Sequence, residues 1–95
     1  MVDATYTVQL KPAAERDLKK VKDRDVLRRI VRAIDGLKTN PRPPNAKVLQ
    51  GDSSILRIRV GDYRILYSIE DADLLVLVVR IGHRREVYRR RGKTP

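Results

Sequence analysis

Two different periods of hydrophobic positions divide the chain near residue 50. Apolar residues in "KPAAERDLKKV" recur at Ala14, Leu18 and Val21, which is the spacing of one face of a helix. A second helical set follows, comprising Val26, Leu27, Ile30, Val31, Ile34 and Leu37. Asp23 or Asp25 can cap this second helix. The pattern therefore predicts a helical hairpin with one shared apolar face.

Short extended segments surround this hairpin and predict a sheet. "TYTVQL" precedes the helices, and the Pro-rich segment "TNPRPPNA" ends them. From Ile55 onward the period is two, because "ILRIRV" and "YRILYSIE" alternate on either side of the turn Gly61-Asp62. "LLVLVVRI" is typical of a central strand buried on both faces, which Gly82 ends, and "KVLQG" and "REVY" are candidates for short strands. We expect an α+β fold with an N-terminal strand and a helical hairpin on one face of a mainly antiparallel sheet of about four to five strands.

The turn at Gly61-Asp62 predicts where several arginines lie. A two-residue turn fixes the register of the strands that it joins. The predicted pairs are Val60–Tyr63, Arg59–Arg64, Ile58–Ile65 and Arg57–Leu66. Paired residues share a face, so Arg57, Arg59 and Arg64 are expected on the face opposite the apolar side chains that the helices cover. Like charges that face each other destabilise a strand pair, and this arrangement therefore indicates an anion-binding surface.

Composition narrows the class of partner. The formal net charge is +10 and the sequence pI is about 10.5, which favours nucleic acid or an acidic protein as partner. The chain has no Cys and one His, so we expect neither a metal site nor a cofactor. Its longest apolar run, Leu74 to Val79, is too short for a membrane span, and its first residues do not resemble a signal peptide. A cytoplasmic protein that does not contact membranes is expected.

The segment "IGHRREVYRR" concentrates candidate chemistry near the C-terminus. It contains His83, Arg84, Arg85, Tyr88, Arg89 and Arg90. Of the ten basic residues after position 50, nine are Arg, whose planar fork binds phosphate bidentately. Histidine exchanges protons near neutral pH, and surrounding arginines would favour its neutral form as a general base. Strand alternation places His83 and Arg84 on opposite faces unless a bulge at Gly82 rotates one of them.

The segments "VLQG…LRIRVGDYRILYSI…VLVVRIGHRREVY" resemble the RelE branch of the RelE/ParE toxin superfamily, and the resemblance covers residues 5 to 89. It implies one RelE-like toxin domain over residues 1–95, in which we expect residues 90–95 to form a disordered basic tail. It also implies a type II toxin that cleaves mRNA in the ribosomal A site as a metal-independent endoribonuclease. The implied partners are an acidic RelB-like antitoxin, the ribosome and its mRNA, with operator DNA bound only through the antitoxin complex.

The resemblance also implies a set of catalytic residues. Matched position by position, these are Arg57, Arg59, Arg64, Arg84 and Tyr88. Arg64 and Arg84 would stabilise charge on the phosphate, Arg57 and Arg59 would hold the RNA backbone, and Tyr88 would stack on a base or donate a proton. The first two positions are often Lys in the family, whereas Arg stays protonated at ordinary pH and is a poorer proton carrier.

The same segment contains four further candidate residues. His83 is a further catalytic candidate, with a phosphate contact or no role as the alternatives. Arg85, Arg89 and Arg90 are candidate RNA-binding residues.

Two other functions remain open from the sequence. A ParE-type toxin shares the fold, acts on DNA gyrase and is not a nuclease. A non-enzymatic module would bind DNA only together with an antitoxin. Cleavage of RNA distinguishes the nuclease from both alternatives.

Overall fold

The computed structural model describes residues 5–83, and these residues form two helices and a five-stranded sheet. The elements in chain order are β1 Thr7–Leu10, α1 Pro12–Lys19, α2 Arg24–Gly36, β2 Lys47–Leu49, β3 Asp52–Val60, β4 Tyr63–Glu70 and β5 Leu75–His83, with a 3-10 turn at Asp71–Asp73. The strand order is β1-β5-β4-β3-β2, and only β1 and β5 pair in parallel. The predicted α+β class and mainly antiparallel sheet are confirmed.

Both helices cover one face of the sheet, and the main core lies between these layers. Its buried residues are Ala14, Val21, Ile30, Ile34, Leu37, Ile58, Val60, Ile65, Tyr67, Val76, Val78 and Ile81. Asp23 caps α2, because its side chain accepts hydrogen bonds from the N–H groups of Asp25 and Val26. The predicted apolar face of α2 is wrong at Val31, whose side chain is 47% exposed.

A second, smaller apolar cluster lies on the opposite face of the sheet. It contains Leu49, Ile55 and Leu66, with Val79 packed against them. This cluster explains a difference from the sequence-based prediction. In β5 the buried residues alternate with half-buried ones, whereas β4 is buried at four consecutive positions, 64 to 67. The strand buried on both faces is therefore β4, and Gly82 lies within β5 instead of ending it.

The predicted register of β3 and β4 is confirmed. Gly61 has a φ of 59°, the positive value that a primed hairpin turn requires at its first central residue. The pairs Val60–Tyr63, Arg59–Arg64, Ile58–Ile65 and Arg57–Leu66 all form. Because Ile58 and Ile65 belong to the core under the helices, the arginines of these two strands lie on the other face.

An irregularity between β4 and β5 changes which side chains of β5 face the helices. Leu66 pairs with Arg80 and Tyr67 pairs with Val78, so β5 has one extra residue at this point. Val78 before the bulge and Ile81 after it are both in the core. Beyond the bulge the pairing is regular again, with Gly82 opposite Arg64.

A buried carboxylate on α1 accepts hydrogen bonds from the part of β5 that extends beyond the end of β1. Asp17 is 7% exposed and accepts hydrogen bonds from the Arg80 side chain at 2.7 Å and 3.0 Å. It also accepts from the backbone N–H of Ile81 at 2.9 Å. The N–H of Ile81 is therefore bonded to a side chain instead of a neighbouring strand, and this contact joins α1 to the bulged part of β5.

The Pro-rich connector is held against the far end of the sheet. The hydroxyl of Tyr67 donates to the carbonyl of Pro41 at 2.8 Å. Arg42 donates to both carboxylate oxygens of Asp71, at 3.2 Å and 2.8 Å, and the Tyr6 hydroxyl donates to the same carboxylate at 2.7 Å. These contacts position the segment that leads into β2.

Within residues 5–83, no helix has the length and apolar character that spanning a membrane requires.

We expect Asp17→Ala to lower the free energy of unfolding by about 3–5 kcal/mol, because it leaves a half-buried guanidinium and a buried N–H without their acceptor. Urea denaturation followed by circular dichroism measures this change. Asp35→Ala is the matched control, since the Asp35–Lys38 ion pair is exposed and joins the last turn of α2 only to a residue just beyond it. Equal losses in the two variants would contradict the structural role assigned to Asp17.

The Arg42–Asp71 contact predicts an acid-sensitive component of stability. Hydrogen bonds from Arg42, and secondly from Tyr6, lower the pKa of Asp71 from 3.8 to about 2. Because this pKa is lowered in the folded state, the stabilisation is complete above about pH 4. It is lost as the pH falls through about 2. We expect the stability of Asp71→Asn to fall less steeply over this window, as measured by urea denaturation at each pH, and identical slopes would contradict the assignment.

Candidate nucleic-acid interface

Three arginines from two strands form the centre of a cationic surface on the face of the sheet away from the helices. Arg59 and Arg64 are directly opposite each other, and Arg57 is two positions from Arg59 on the same strand. Alternation along β3 therefore places all three on one face. We call Arg57, Arg59 and Arg64 the arginine face.

The three members of the arginine face differ in their exposure to solvent. Arg59 is exposed, Arg57 is half-buried and Arg64 is only 6% exposed. Opposite Arg64 on the next strand is Gly82, which has no side chain to occupy the space beside it. Burial restricts the guanidinium of Arg64 to few orientations, as a preorganised charge-stabilising group requires. Arg57 and Arg59 are accessible to a long polyanion.

Lys47 extends the arginine face and was missed by sequence reasoning. It is exposed on the edge strand β2 and pairs directly with Arg57. The sequence contained only a partial signal, because "KVLQG" indicated a strand but gave no register for it. A two-residue turn at Gln50-Gly51 joins β2 to β3, but the pairing shifts between Val48 and Leu49. Alternation from this turn therefore does not predict the Lys47–Arg57 pair.

The arginine face combines positive charge with a neighbouring apolar cluster. The cross-strand partners of Arg57 are Lys47 and Leu66, and those of Arg64 are Arg59 and Gly82. None of these partners is an acid. Leu66 also belongs to the apolar cluster on this face. A phosphate would find several guanidinium donors here, and the buried apolar cluster beside them lowers the local dielectric and strengthens such contacts.

His83 lies on the opposite face of the sheet from the arginine face. It pairs with Tyr63, and the two rings meet edge to face, with centroids 6.0 Å apart and planes at 74°. Gly82 pairs regularly with Arg64, so the bulge considered at Gly82 is absent, and the actual bulge lies nearer the middle of β5. The structure therefore does not bring His83 together with the arginines.

The remaining predicted site residues lie outside the described part of the chain. They are Arg84, Arg85, Tyr88, Arg89 and Arg90, and the expected basic tail at residues 90–95 and the candidate strand "REVY" lie there as well. Their roles stay predictions.

Comparisons with known proteins agree with this architecture. A family model described as the ParE toxin of type II toxin–antitoxin systems, parDE, matches residues 8–88. Toxin RelG from Mycobacterium tuberculosis is 32% identical over 85 residues, which are 90% of this chain and 98% of that protein.

Two solved structures are similar in fold as well as in sequence. The toxin–antitoxin complex RelBE2 from Mycobacterium tuberculosis contains a chain that is 33% identical, with a TM-score of 0.72, and the match covers 84% of this chain and 99% of that one. In the archaeal RelE–RelB complex from Pyrococcus horikoshii, a chain that is 26% identical gives a TM-score of 0.73 over 84% of this chain and 96% of its own length. The fold, the extent of the family match and the similarity to RelG together show that this chain belongs to the RelE/ParE superfamily of type II toxin–antitoxin toxins.

Proposed function

We propose that this toxin is an endoribonuclease that cleaves mRNA in the ribosomal A site. The observation that carries the proposal is the register of β3 and β4, which gathers Arg57, Arg59 and Arg64 on one face. The relatives named RelE and RelG, and the cationic surface of suitable chemistry, favour RNA as the substrate. A net charge of +10 favours binding to a polyanion such as the ribosome.

The proposed reaction is attack of a ribose 2′-oxygen on the adjacent phosphorus. A bond from phosphorus to the 2′-oxygen forms, the bond to the 5′-oxygen breaks, and the products are a 2′,3′-cyclic phosphate and a 5′-hydroxyl. Solvent water accepts the proton of the 2′-hydroxyl, and the departing 5′-oxygen receives a proton from the proposed donor Tyr88. The guanidinium groups supply the positive charge that stabilises the pentavalent phosphate, so the proposed step needs no metal ion.

The exposure of each arginine favours a distinct role. Buried Arg64 faces the phosphate in a fixed orientation, whereas the more accessible Arg57 and Arg59 hold the RNA backbone on either side. Arginine stays protonated at ordinary pH and therefore does not act as the base. The resemblance to RelE adds Arg84 for charge stabilisation and Tyr88 as a proton donor. His83 has no part in this proposal, because it lies on the other face of the sheet.

An acidic antitoxin is the proposed protein partner. The similar chains from Mycobacterium tuberculosis and Pyrococcus horikoshii were solved in toxin–antitoxin complexes. A positively charged toxin surface favours a negatively charged partner. We propose that the complex, and not the toxin alone, binds operator DNA, because the antitoxin can supply a separate DNA-binding segment.

A ParE-like activity is the second candidate, and the description of the matching family model favours it. On this alternative the toxin acts on DNA gyrase and leaves RNA intact. Incubation with translating ribosomes, and separately with gyrase and plasmid DNA, distinguishes the two. Cuts within the A-site codon support the nuclease, whereas intact mRNA together with gyrase-dependent breaks in the plasmid would overturn it.

We expect Arg59→Ala and Arg64→Lys to lower the rate of mRNA cleavage on the ribosome by roughly 100-fold each. Arg59→Ala removes an exposed side chain without disturbing the core, and Arg64→Lys keeps the buried charge while losing the bidentate fork. Single-turnover cleavage, followed by mapping of the mRNA 5′ ends, measures these rates. Arg32→Ala on the exposed side of α2 is the control for loss of one positive charge. If Arg32→Ala slows cleavage as much as the other two, the arginine face is not the active site.

The position of Lys47 beside Arg57 predicts an additional contact to the RNA phosphate backbone, which can be measured without cleavage. Each phosphate contact to single-stranded RNA contributes about 0.7 to the slope of log affinity against log salt concentration. We expect Lys47→Ala to reduce that slope by about this amount, as measured by fluorescence anisotropy with RNA containing only 2′-O-methyl riboses. Lys38→Ala is the control, since Lys38 follows α2 and pairs with Asp35. An unchanged slope in Lys47→Ala would exclude Lys47 from the RNA track.

A further inference from the structure

A cavity of about 370 Å³ lies on the helix side of the sheet, beyond the end of α1. Lys20 and Val21 line it from the segment after α1, and Tyr63, Ile81 and His83 line it from β4 and β5. Neither the arginine face nor the proposed cleavage chemistry uses these residues. The cavity therefore combines a cation, two aromatic rings and an apolar floor outside the site described above.

The rings of Tyr63 and His83 give this cavity an aromatic wall. They meet at 74° with centroids 6.0 Å apart, so each ring supports the orientation of the other. Tyr63 also packs against the main core and is half-buried, which restricts its movement. An aromatic ring held in this way accepts a nucleobase by stacking, whatever the base, because every base has a π-face.

The net charge at the cavity favours an anion. Lys20 is exposed, and within residues 5–83 it is the one Lys or Arg that lines the cavity. The carboxylate of Asp17 also lines it, but this group is bonded to the Arg80 guanidinium and to the N–H of Ile81. The charge of Asp17 is therefore compensated, and Lys20 remains available for a phosphate.

The cavity and the arginine face lie on opposite faces of the sheet, at the same end of β4 and β5. Tyr63 and His83 are paired on the cavity side, and the next pair, Arg64 and Gly82, is on the other side. Consecutive residues have Cα atoms about 3.8 Å apart. Gly82 also lines the cavity, and among residues 5–83 it places no side chain between the two faces at this end. A strand of RNA bound to the arginine face is thus within reach of the cavity.

We propose that this cavity accepts one nucleobase of single-stranded RNA bound to the arginine face. The base stacks on the ring of Tyr63, which His83 supports edge to face, and Lys20 contacts the phosphate of the same nucleotide. The inference rests on the RNA-binding part of the proposed function and not on cleavage. An acidic peptide could use Lys20, but the aromatic wall and the adjacent phosphate-binding face together favour a nucleotide.

The test uses the full chain and RNA made entirely of 2′-O-methyl nucleotides, which lack the attacking hydroxyl. A single abasic nucleotide is moved along the RNA, and the dissociation constant is measured by fluorescence anisotropy at each position. For the unaltered protein, we expect one position at which loss of the base weakens binding about tenfold. Tyr63→Ala abolishes this sensitivity, whereas Tyr63→Phe retains it, because the Phe ring still stacks.

Lys20→Ala and Lys19→Ala form the second, matched comparison. Both residues are exposed, and only Lys20 lines the cavity, so folding is not at risk in either variant. We expect Lys20→Ala to weaken binding a few-fold and to reduce the salt slope by about 0.7, as loss of one phosphate contact requires. Lys19→Ala leaves the sensitivity to the abasic position unchanged.

The outcomes separate this inference from the proposed function. If the unaltered protein binds RNA but no abasic position weakens binding, the cavity takes no base and the inference alone is overturned. If Tyr63→Ala and Lys20→Ala bind RNA normally but bind the acidic antitoxin less tightly, the cavity takes a peptide, and the inference is again overturned. If the unaltered protein does not bind RNA, the proposed function and the inference both fail.

Discussion

The two-residue turn between β3 and β4 is the constraint on which the arrangement of this protein depends. Gly61 takes the positive φ that the turn needs, and the turn then fixes every pair between the two strands. Burial of Ile58 and Ile65 under the helices leaves Arg59 and Arg64 opposite each other on the other face. A shift by one residue would expose the isoleucines and bury the arginines in the core. Stability of the hydrophobic core and repulsion on the arginine face are therefore inseparable consequences of one register.

The bulge in β5 determines which residues of that strand lie beside the arginine face. With one extra residue at the bulge, Gly82 is opposite Arg64 and His83 is on the cavity side. Without it, alternation from Val78 would reverse these two positions. The hydrogen bonds from Arg80 and Ile81 to Asp17 hold the strand in its shifted position after the bulge. The ion pair between Asp17 on α1 and Arg80 on β5 thus determines which side chains lie on each face at the end of the sheet.

The sequence predicted the parts of this structure that depend on local rules, and missed those that depend on contacts between distant segments. The hairpin register followed from Gly61 and the alternation beside it, so the arginine face could be derived before the fold was known. The face on which His83 lies could not be derived in this way. It depends on the bulge in β5, which is held by hydrogen bonds to the distant residue Asp17 on α1. Lys47 was missed for a similar reason, since a shift in the pairing between Val48 and Leu49 places Lys47 opposite Arg57, and no local pattern predicts that shift. The burial of Arg64 likewise depends on three strands meeting, and no periodicity along one strand reveals it.

On the proposed function, the arginine face has consequences for inhibition as well as for catalysis. Guanidinium groups bind carboxylates and phosphates with the same bidentate geometry. An acidic antitoxin that reaches Arg57 and Arg59 would therefore occupy the donors that RNA needs, and it requires no separate inhibitory site. Such an antitoxin has a second effect, because neutralising like charges on adjacent strands removes a repulsion that destabilises the free toxin. The antitoxin would then stabilise the sheet and block the substrate through the same contacts, and release of the toxin would restore the repulsion together with the affinity for RNA.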